Sequence, residues 1–293
     1  MLALLVLIPL ALAEVAAPLT EAGALSARTE AAAHRLARLA RTPPAVRDTV
    51  ATGSPTSSAI ELSDVRARWD VDAPLTAALS FDLGPGERVA LVGPSGSGKS
   101  TVAALLLRFL DPESGRVTIG GARLRTLSLD DVRRRVGLVD DDPHLFATTL
   151  VENIRLARPD ASDAEVDDAL RRARLGTWLD ALPDGLDTWL GDGNGAVSGG
   201  ERARIGIARS LLASQPVLVL DEPTAHLDHP TAVELAQEVL EGARDQAVLW
   251  ITHTGIGLDQ VDRVIELAGP AGPWSHDERD SARTAGDRDE AGW

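Results

Sequence analysis

The chain has 293 residues, 44% of them apolar, and a formal net charge of −15. That length and apolar share suffice for one substantial core with a small appendage, and the acidity excludes a general nucleic-acid binder, which needs a basic face along the strand. The absence of Cys excludes disulfides and thiolate metal sites, and with no Tyr and only three Phe the core must be filled by Ala, Leu and Val.

In chain order, Met1 to Ala13 is an almost unbroken apolar run that ends in Ala11-Leu12-Ala13. Three readings fit it: a secretory signal peptide, a buried helix, or the end of a membrane helix. No positive residue precedes the run, which counts against the signal peptide. The run is shorter than the ~20 residues of a span, but Val15 to Leu19 extend it past Glu14. We take residues 1–41 as the remnant of a transmembrane domain with its last helix. An Ala-rich, Arg-bearing helix continues from Glu21 to Arg41, and Pro43-Pro44 stops it. Residues 42–58, rich in Ser, Thr, Gly and Pro, read as a linker.

From 59 to 268 the pattern is that of an α/β domain. Ile60 to Trp69 and Leu75 to Leu83 alternate as strands of an antiparallel layer. Arg88 to Val92 is a short apolar strand, Ser100 to Leu110 has helical character, and Val136 to Val139 is a further strand. Ser162 and Glu165 form a capping-box pair ahead of Val166, Ala169, Leu170 and Ala173 on one helical face. Val217 to Leu220 and Ala247 to Ile251 are continuous apolar runs suited to central parallel strands. The whole reads as a mixed parallel core sheet, an antiparallel layer and a helical subdomain between about 145 and 190. Residues 269–293 turn polar and Pro/Gly-interrupted and read as a disordered acidic tail.

Gly93-Pro94-Ser95-Gly96-Ser97-Gly98-Lys99-Ser100 matches G-x-x-x-x-G-K-[ST] in full, after a strand and before a helix. The glycines let successive amides point inward at phosphates, and the helix start adds its positive dipole end. Lys99, the only lysine in the chain, supplies a compact charge, and Ser100 a hydroxyl for Mg²⁺. Thr101 completes the stretch. The pattern alone denotes a nucleoside-triphosphatase and leaves kinases, GTPases and motors open. Asp221 and Glu222 end an apolar strand at Pro216-Val217-Leu218-Val219-Leu220-Asp221-Glu222. Asp221 suits Mg²⁺ support through water, and Glu222 suits polarisation of an attacking water.

With these residues in order, the stretch from Ile60 to Leu267 resembles the ATP-binding-cassette family. Val197-Ser198-Gly199-Gly200-Glu201 is similar to the family's signature, with Val for Leu and Glu for Gln. It puts a Ser and two glycines at a helix start, with Ile205, Ala208 and Leu212 as the packing face. The resemblance implies that Ser198, Gly199 and Gly200 serve the γ-phosphate of ATP held by an opposing subunit. Two chains would then clamp two nucleotides head to tail. By the same resemblance Trp69 stacks on adenine, although a core tryptophan would look the same in sequence. Asp228 falls in the loop that crosses the dimer, and His253 is the switch histidine that senses the γ-phosphate and positions Glu222. Asp141 stands where the family carries a Gln that touches Mg²⁺, so the implied metal residues are Ser100, Asp221 and Asp141. His226 and His229 have a metal-like spacing but no third ligand, and read as structural.

Leu182-Pro183-Asp184-Gly185-Leu186-Asp187-Thr188, and Leu145-Phe146 followed by Thr149 to Ile154, resemble exporter-type cassettes. The nearest resemblance is to the C subunits (CydC) of heterodimeric cysteine/glutathione exporters of cytochrome bd assembly, with most of the membrane domain missing. It implies ATP and Mg²⁺ as cofactors and a CydD-like cassette as partner. It also implies an exporter's transmembrane domain, and an ATPase on the cytoplasmic side of the plasma membrane. Two alternatives stay open: a weakly catalytic regulatory cassette within a heterodimer, and a soluble cassette ATPase.

Overall fold

The computed structural model describes residues 2–70, 72–191, 197–225, 227–243 and 246–268, with side chains from residue 22 onward. The expected tail at 269–293, His226 and the side chains of the Met1–Ala13 run lie outside the described residues. Two units are present, Met1–Ala45 and Val46–Trp293. The first holds one helix, α1 (Leu2–Arg41), whose last turn carries Arg38 and Arg41. Pro43 and Pro44 follow its end, as their missing amides require. Among the described residues no helix is long and apolar enough to cross a membrane.

The second unit runs β1 (Ile60–Arg66), β2 (Leu79–Leu83), β3 (Arg88–Val92), α2 (Lys99–Leu106), β4 (Ser114–Ile119), β5 (Ala122–Arg123), α3 (Leu129–Arg133) and β6 (Val136–Val139). The helical insertion follows as α4 (Leu150–Arg155), α5 (Asp163–Arg172) and α6 (Gly176–Ala181). The chain then returns through α7 (Gly199–Ala213), β7 (Val217–Asp221), α8 (His229–Gly242), β8 (Ala247–Thr252) and β9 (Arg263–Glu266). A parallel sheet has the order β6-β7-β8-β3-β9, and the antiparallel strands gather in their own sheet, β2-β1-β4-β5.

Period-two burial divides the core between the two faces of the parallel sheet. Val217, Val219, Leu249 and Ile251 pack with α2 and the antiparallel sheet. Leu218, Leu220, Val248 and Trp250 pack with α4, α5, α7 and α8. Both faces are therefore covered, which is why these strands carry unbroken apolar runs rather than alternation. In α5 the expected capping box is present, with Ser162 N–H donating to Glu165 Oε2 at 2.8 Å. Val166, Ala169 and Leu170 are buried behind it.

The first two strands are shorter than their alternation predicts. They stop at Arg66 and start again only at Leu79. Between them the pairing passes to a side chain: Thr76 N–H donates to Ala67 O at 2.9 Å, while Ala67 N–H donates to Thr76 Oγ1 at 3.1 Å. Pro74, which has no amide to give, lies within this stretch.

Candidate active site

Parallel register sets the site. Val139 pairs with Leu220, Asp221 with Ile251, and Val92 with Thr252. The residues just beyond the strand ends, Asp140, Glu222, His253 and Gly93, therefore stand in one row along the carboxyl edge of the sheet. Open α/β sheets bind ligands at that edge.

After β3 the chain curls through Gly96 and Gly98, at φ +78° and +97°, a conformation that favours glycine. Gly98 also caps α2 without any side-chain hydrogen bond. The first-turn amides of α2 are consequently left without intrahelical partners, at the positive end of its dipole. Gly93 has no space for a side chain, since a Cβ there would lie 2.8 Å from Leu267 O and from Ser97 Oγ. Lys99 is nearly enclosed, and its Nζ donates to Gly93 O at 2.9 Å and to Pro94 O at 3.1 Å. Ser97 Oγ is buried with no hydrogen-bond partner. A glycine cradle, an enclosed ammonium and an orphaned hydroxyl together fit a polyphosphate.

The acids gather on the other side of Lys99. Asp221 is raised above the usual carboxylate range, first by burial, against the Ser100 hydroxyl that bonds it, and then by Asp140, Glu222 and Asp141. Its Oδ1 is buried with no hydrogen-bond partner. Asp140 is raised likewise, chiefly by burial. An unsatisfied carboxylate oxygen beside a serine hydroxyl, in a field of acids, fits a hard divalent cation such as Mg²⁺. Among the described residues no three His, Asp or Glu side chains form a metal cage by themselves, so such an ion would draw further ligands from phosphate and water.

Glu222 has φ +50°, in the left-handed region where a non-glycine residue is strained. Its N–H continues the sheet by donating to Ile251 O at 2.9 Å. The carboxylate is turned between the His253 ring and the Lys99 ammonium: His253 Nδ1 lies 2.6 Å from Oε2, and Lys99 Nζ lies 4.0 Å from Oε1. The loop under His253 is itself braced. Trp250 is fully buried and its Nε1–H donates to Ile256 O at 3.2 Å, while the Thr252 and Thr254 hydroxyls bond at 3.0 Å.

A cavity of about 780 Å³ opens over the cradle, lined by Ser95 to Thr101, Glu222 and the segment that interrupts the first two strands. Trp69 is 63% exposed there and is no core residue; its Nε1–H donates to Thr101 Oγ1 at 3.2 Å. Arg66, Arg68, Leu75 and Thr76 line the same wall, in stretches whose alternation predicts strands. Pro74 and the polar tip around Asp70 were the available signals of a loop.

Ser198, Gly199, Gly200 and Asp228 do not line this cavity. Ser198 and Gly199 are exposed, at the start of α7. A full capping box closes that start: Ser198 N–H donates to Glu201 Oε2 at 2.7 Å, and Glu201 N–H donates to Ser198 Oγ at 3.2 Å. The glycine amides and the serine hydroxyl proton remain to meet an incoming anion. Asp228 caps α8 by accepting from Thr231 N–H, and that bond, with the Thr231 hydroxyl, holds its carboxyl below the usual range. His229 is an exposed first residue of α8.

The family model described as "ABC transporter" matches residues 76–225, from the Thr76 wall through the strained turn after β7. The chain belongs to the ABC transporter family. Against IrtA of Mycolicibacterium smegmatis, a mycobactin import ATP-binding/permease protein, this family member is 44% identical over 211 residues, covering 72% of the chain and 24% of that relative. Against the Bacillus subtilis glutathione/L-cysteine transport protein CydD it is 37% identical over 204 residues, covering 70% and 35%. The chain thus spans only a quarter to a third of the length of these relatives. A solved bacterial Atm1-family ABC exporter with ATP bound superposes with a TM-score of 0.71 at 35% identity, over 78% of this chain and 41% of that one. Family and fold make the second unit an ABC-type ATPase domain of exporter type.

Proposed function

We propose that this chain is the ATP-hydrolysing motor of an ABC exporter, working as one of a pair of cassettes. The observation that carries the reading is the Ser198-Gly199-Gly200 helix start, whose Ser198 and Gly199 are exposed and which stands apart from the chain's own phosphate cradle. An anion site that its own ATP does not use is suited to the ATP of a neighbour. Gly93 to Thr101 hold the phosphates, Trp69 covers the base, and Ser100, Asp221 and Asp141 face the metal. Bound Mg²⁺ would offset the triphosphate charge. Glu222 takes a proton from the attacking water, with His253 holding its carboxylate in line, and Asp228 faces the partner across the dimer. Hydrolysis that rises more than linearly with chain concentration, or only on adding a partner cassette, supports the pair; a rate linear in concentration would contradict it.

Stacking at an exposed aromatic has a separable signature. Trp69→Ala is expected to raise the KM for ATP about tenfold with kcat unchanged, in steady-state phosphate release. An unchanged KM would remove Trp69 from the site.

The finer assignment rests on the resemblance to CydC and draws support from the CydD identity. On it, residues 1–41 are the end of the membrane domain and 42–58 the linker, a CydD-like chain is the partner, and the ATPase works at the cytoplasmic face of the plasma membrane. The cargo is cysteine or glutathione for cytochrome bd biogenesis. ATP-dependent uptake of labelled cysteine by inverted vesicles holding the complete transporter tests it, and vesicles that hydrolyse ATP without moving thiols would redirect the cargo.

One observation favours a second reading, a slow regulatory cassette. Asp140 and Asp141 crowd Asp221 and Glu222, each carboxylate raising the pKa of Asp221. Removing one charge there is expected to speed turnover roughly 2- to 30-fold once Mg²⁺ is saturating. ATPase rates of wild type and Asp141→Gln across a Mg²⁺ titration check this, and superimposable curves would dismiss it.

A further inference from the structure

Helix α7 carries more than its glycine start. Arg202, Gly206 and Arg209, spaced by four and three residues, share one helical face. That face meets Asp142, Pro143 and His144 in the same order. Arg202 Nη1 lies 2.8 Å from Asp142 Oδ1. At Gly206 the helix backbone rests directly on the loop, since a Cβ there would lie 2.7 Å from Pro143 Cγ and 3.2 Å from Val139 Cγ1. Arg209 Nη1 donates to His144 O at 2.7 Å, Nε to Asn153 O at 2.9 Å and Nη2 to Asn153 Oδ1 at 2.9 Å.

The last contact is the firm one. Asn153 is fully buried, and its amide donates to Phe146 O and Thr149 O, both at 3.0 Å, while Oδ1 also accepts from Phe146 N at 2.9 Å. Among the described residues no carboxylate pairs with Arg209. Its fork is spent on three oxygens that belong to a loop and a helix, so its service is geometric rather than charge-neutralising. The Arg202–Asp142 pair is solvent-facing and worth little alone.

We propose that Arg209 is a positioning residue. Clamped to Asn153 and His144, it couples the acidic loop 140–142 beside this chain's own phosphate cradle to the Ser198-Gly199-Gly200 start that serves the partner's nucleotide. The clamp sits about three helical turns behind Ser198, on one unbroken helix, so a shift of the acidic loop carries the helix start with it. This rests on the two-cassette reading above and adds the route by which one ATP site reports to the other.

The test uses the full chain carrying Glu222→Gln, paired with itself or its partner cassette by MgATP and followed by sedimentation. Adding Arg209→Met is expected to weaken MgATP-driven pairing about tenfold, while MgATP binding by the unpaired chain, read by fluorescent-nucleotide titration, stays unchanged. Arg209→Lys keeps the charge without the fork and is expected to stay weakened; full recovery with Lys would overturn the clamp. If Arg209→Met does not fold, Gly206→Ala decides, because the methyl group favours the helix and presses on Pro143 and, less closely, on Val139. Weakened pairing at an unchanged Tm supports the coupling, and unaltered pairing overturns it. A Glu222→Gln chain that binds MgATP but never pairs would instead overturn the underlying two-cassette reading.

Discussion

Glu222→Gln is expected to lower ATP hydrolysis about 10²- to 10⁴-fold and to leave MgATP binding intact. The substitution is nearly isosteric and keeps an oxygen able to accept from His253, so the 2.6 Å contact need not be lost. It also keeps the backbone at φ +50°, which Gln tolerates no worse than Glu. What goes is the basic carboxylate. Lys99, 4.0 Å away, would then face one negative charge fewer, which favours the bound nucleotide rather than opposing it. Single-turnover phosphate release and equilibrium nucleotide binding, measured on one preparation, separate the two effects. A variant that hydrolyses at the wild-type rate would remove Glu222 from the chemistry, and one that loses binding as well would make it a structural residue.

Lys99→Ala should act on the other quantity. Removing an enclosed ammonium from opposite a polyphosphate costs about 2–5 kcal/mol, roughly 30- to 4,000-fold in Kd. No neighbouring lysine can substitute, because the chain has none. Lys99→Arg is not expected to rescue binding, since a planar fork cannot occupy the space of a compact ammonium held between Gly93 O and Pro94 O. Calorimetric titration with MgATP reads the loss, and a thermal melt shows whether the loop bonds of Lys99 had also been stabilising the fold. Near-normal affinity in Lys99→Ala would contradict the cradle.

Much of this site was legible because its residues sit where strands end. Unbroken apolar runs located β3, β6, β7 and β8 within a residue or so, and the chemistry follows each run at once: Gly93, Asp140, Glu222 and His253. What alternation could not locate was the stop. Leu75 and its neighbours continue a strand-like pattern into a segment whose pairing has passed to the Thr76 hydroxyl, so the cavity wall was read as sheet. Trp69 illustrates a different limit, because an exposed tryptophan and a core tryptophan share one letter, and only its 63% exposure takes it out of the core. The clamp on α7 was invisible for a third reason. Arg209 reaches partners 56 and 65 positions away, through carbonyls that leave no mark in a sequence. The capping box at Ser198, by contrast, follows from Ser and Glu three apart, the same spacing that identified Ser162 and Glu165.

The phosphate grip has two halves, and the two that close on any one nucleotide come from different chains. Ser198→Asp isolates the second half, since Asp caps a helix as well as Ser does yet sets a negative charge against an arriving phosphate. Sedimentation of the Glu222→Gln chain with and without MgATP, repeated with Ser198→Asp added, is the direct measurement. Nucleotide-driven pairing that disappears in the double variant, while each separate chain still binds MgATP, is the predicted result; pairing of undiminished strength would contradict the shared site.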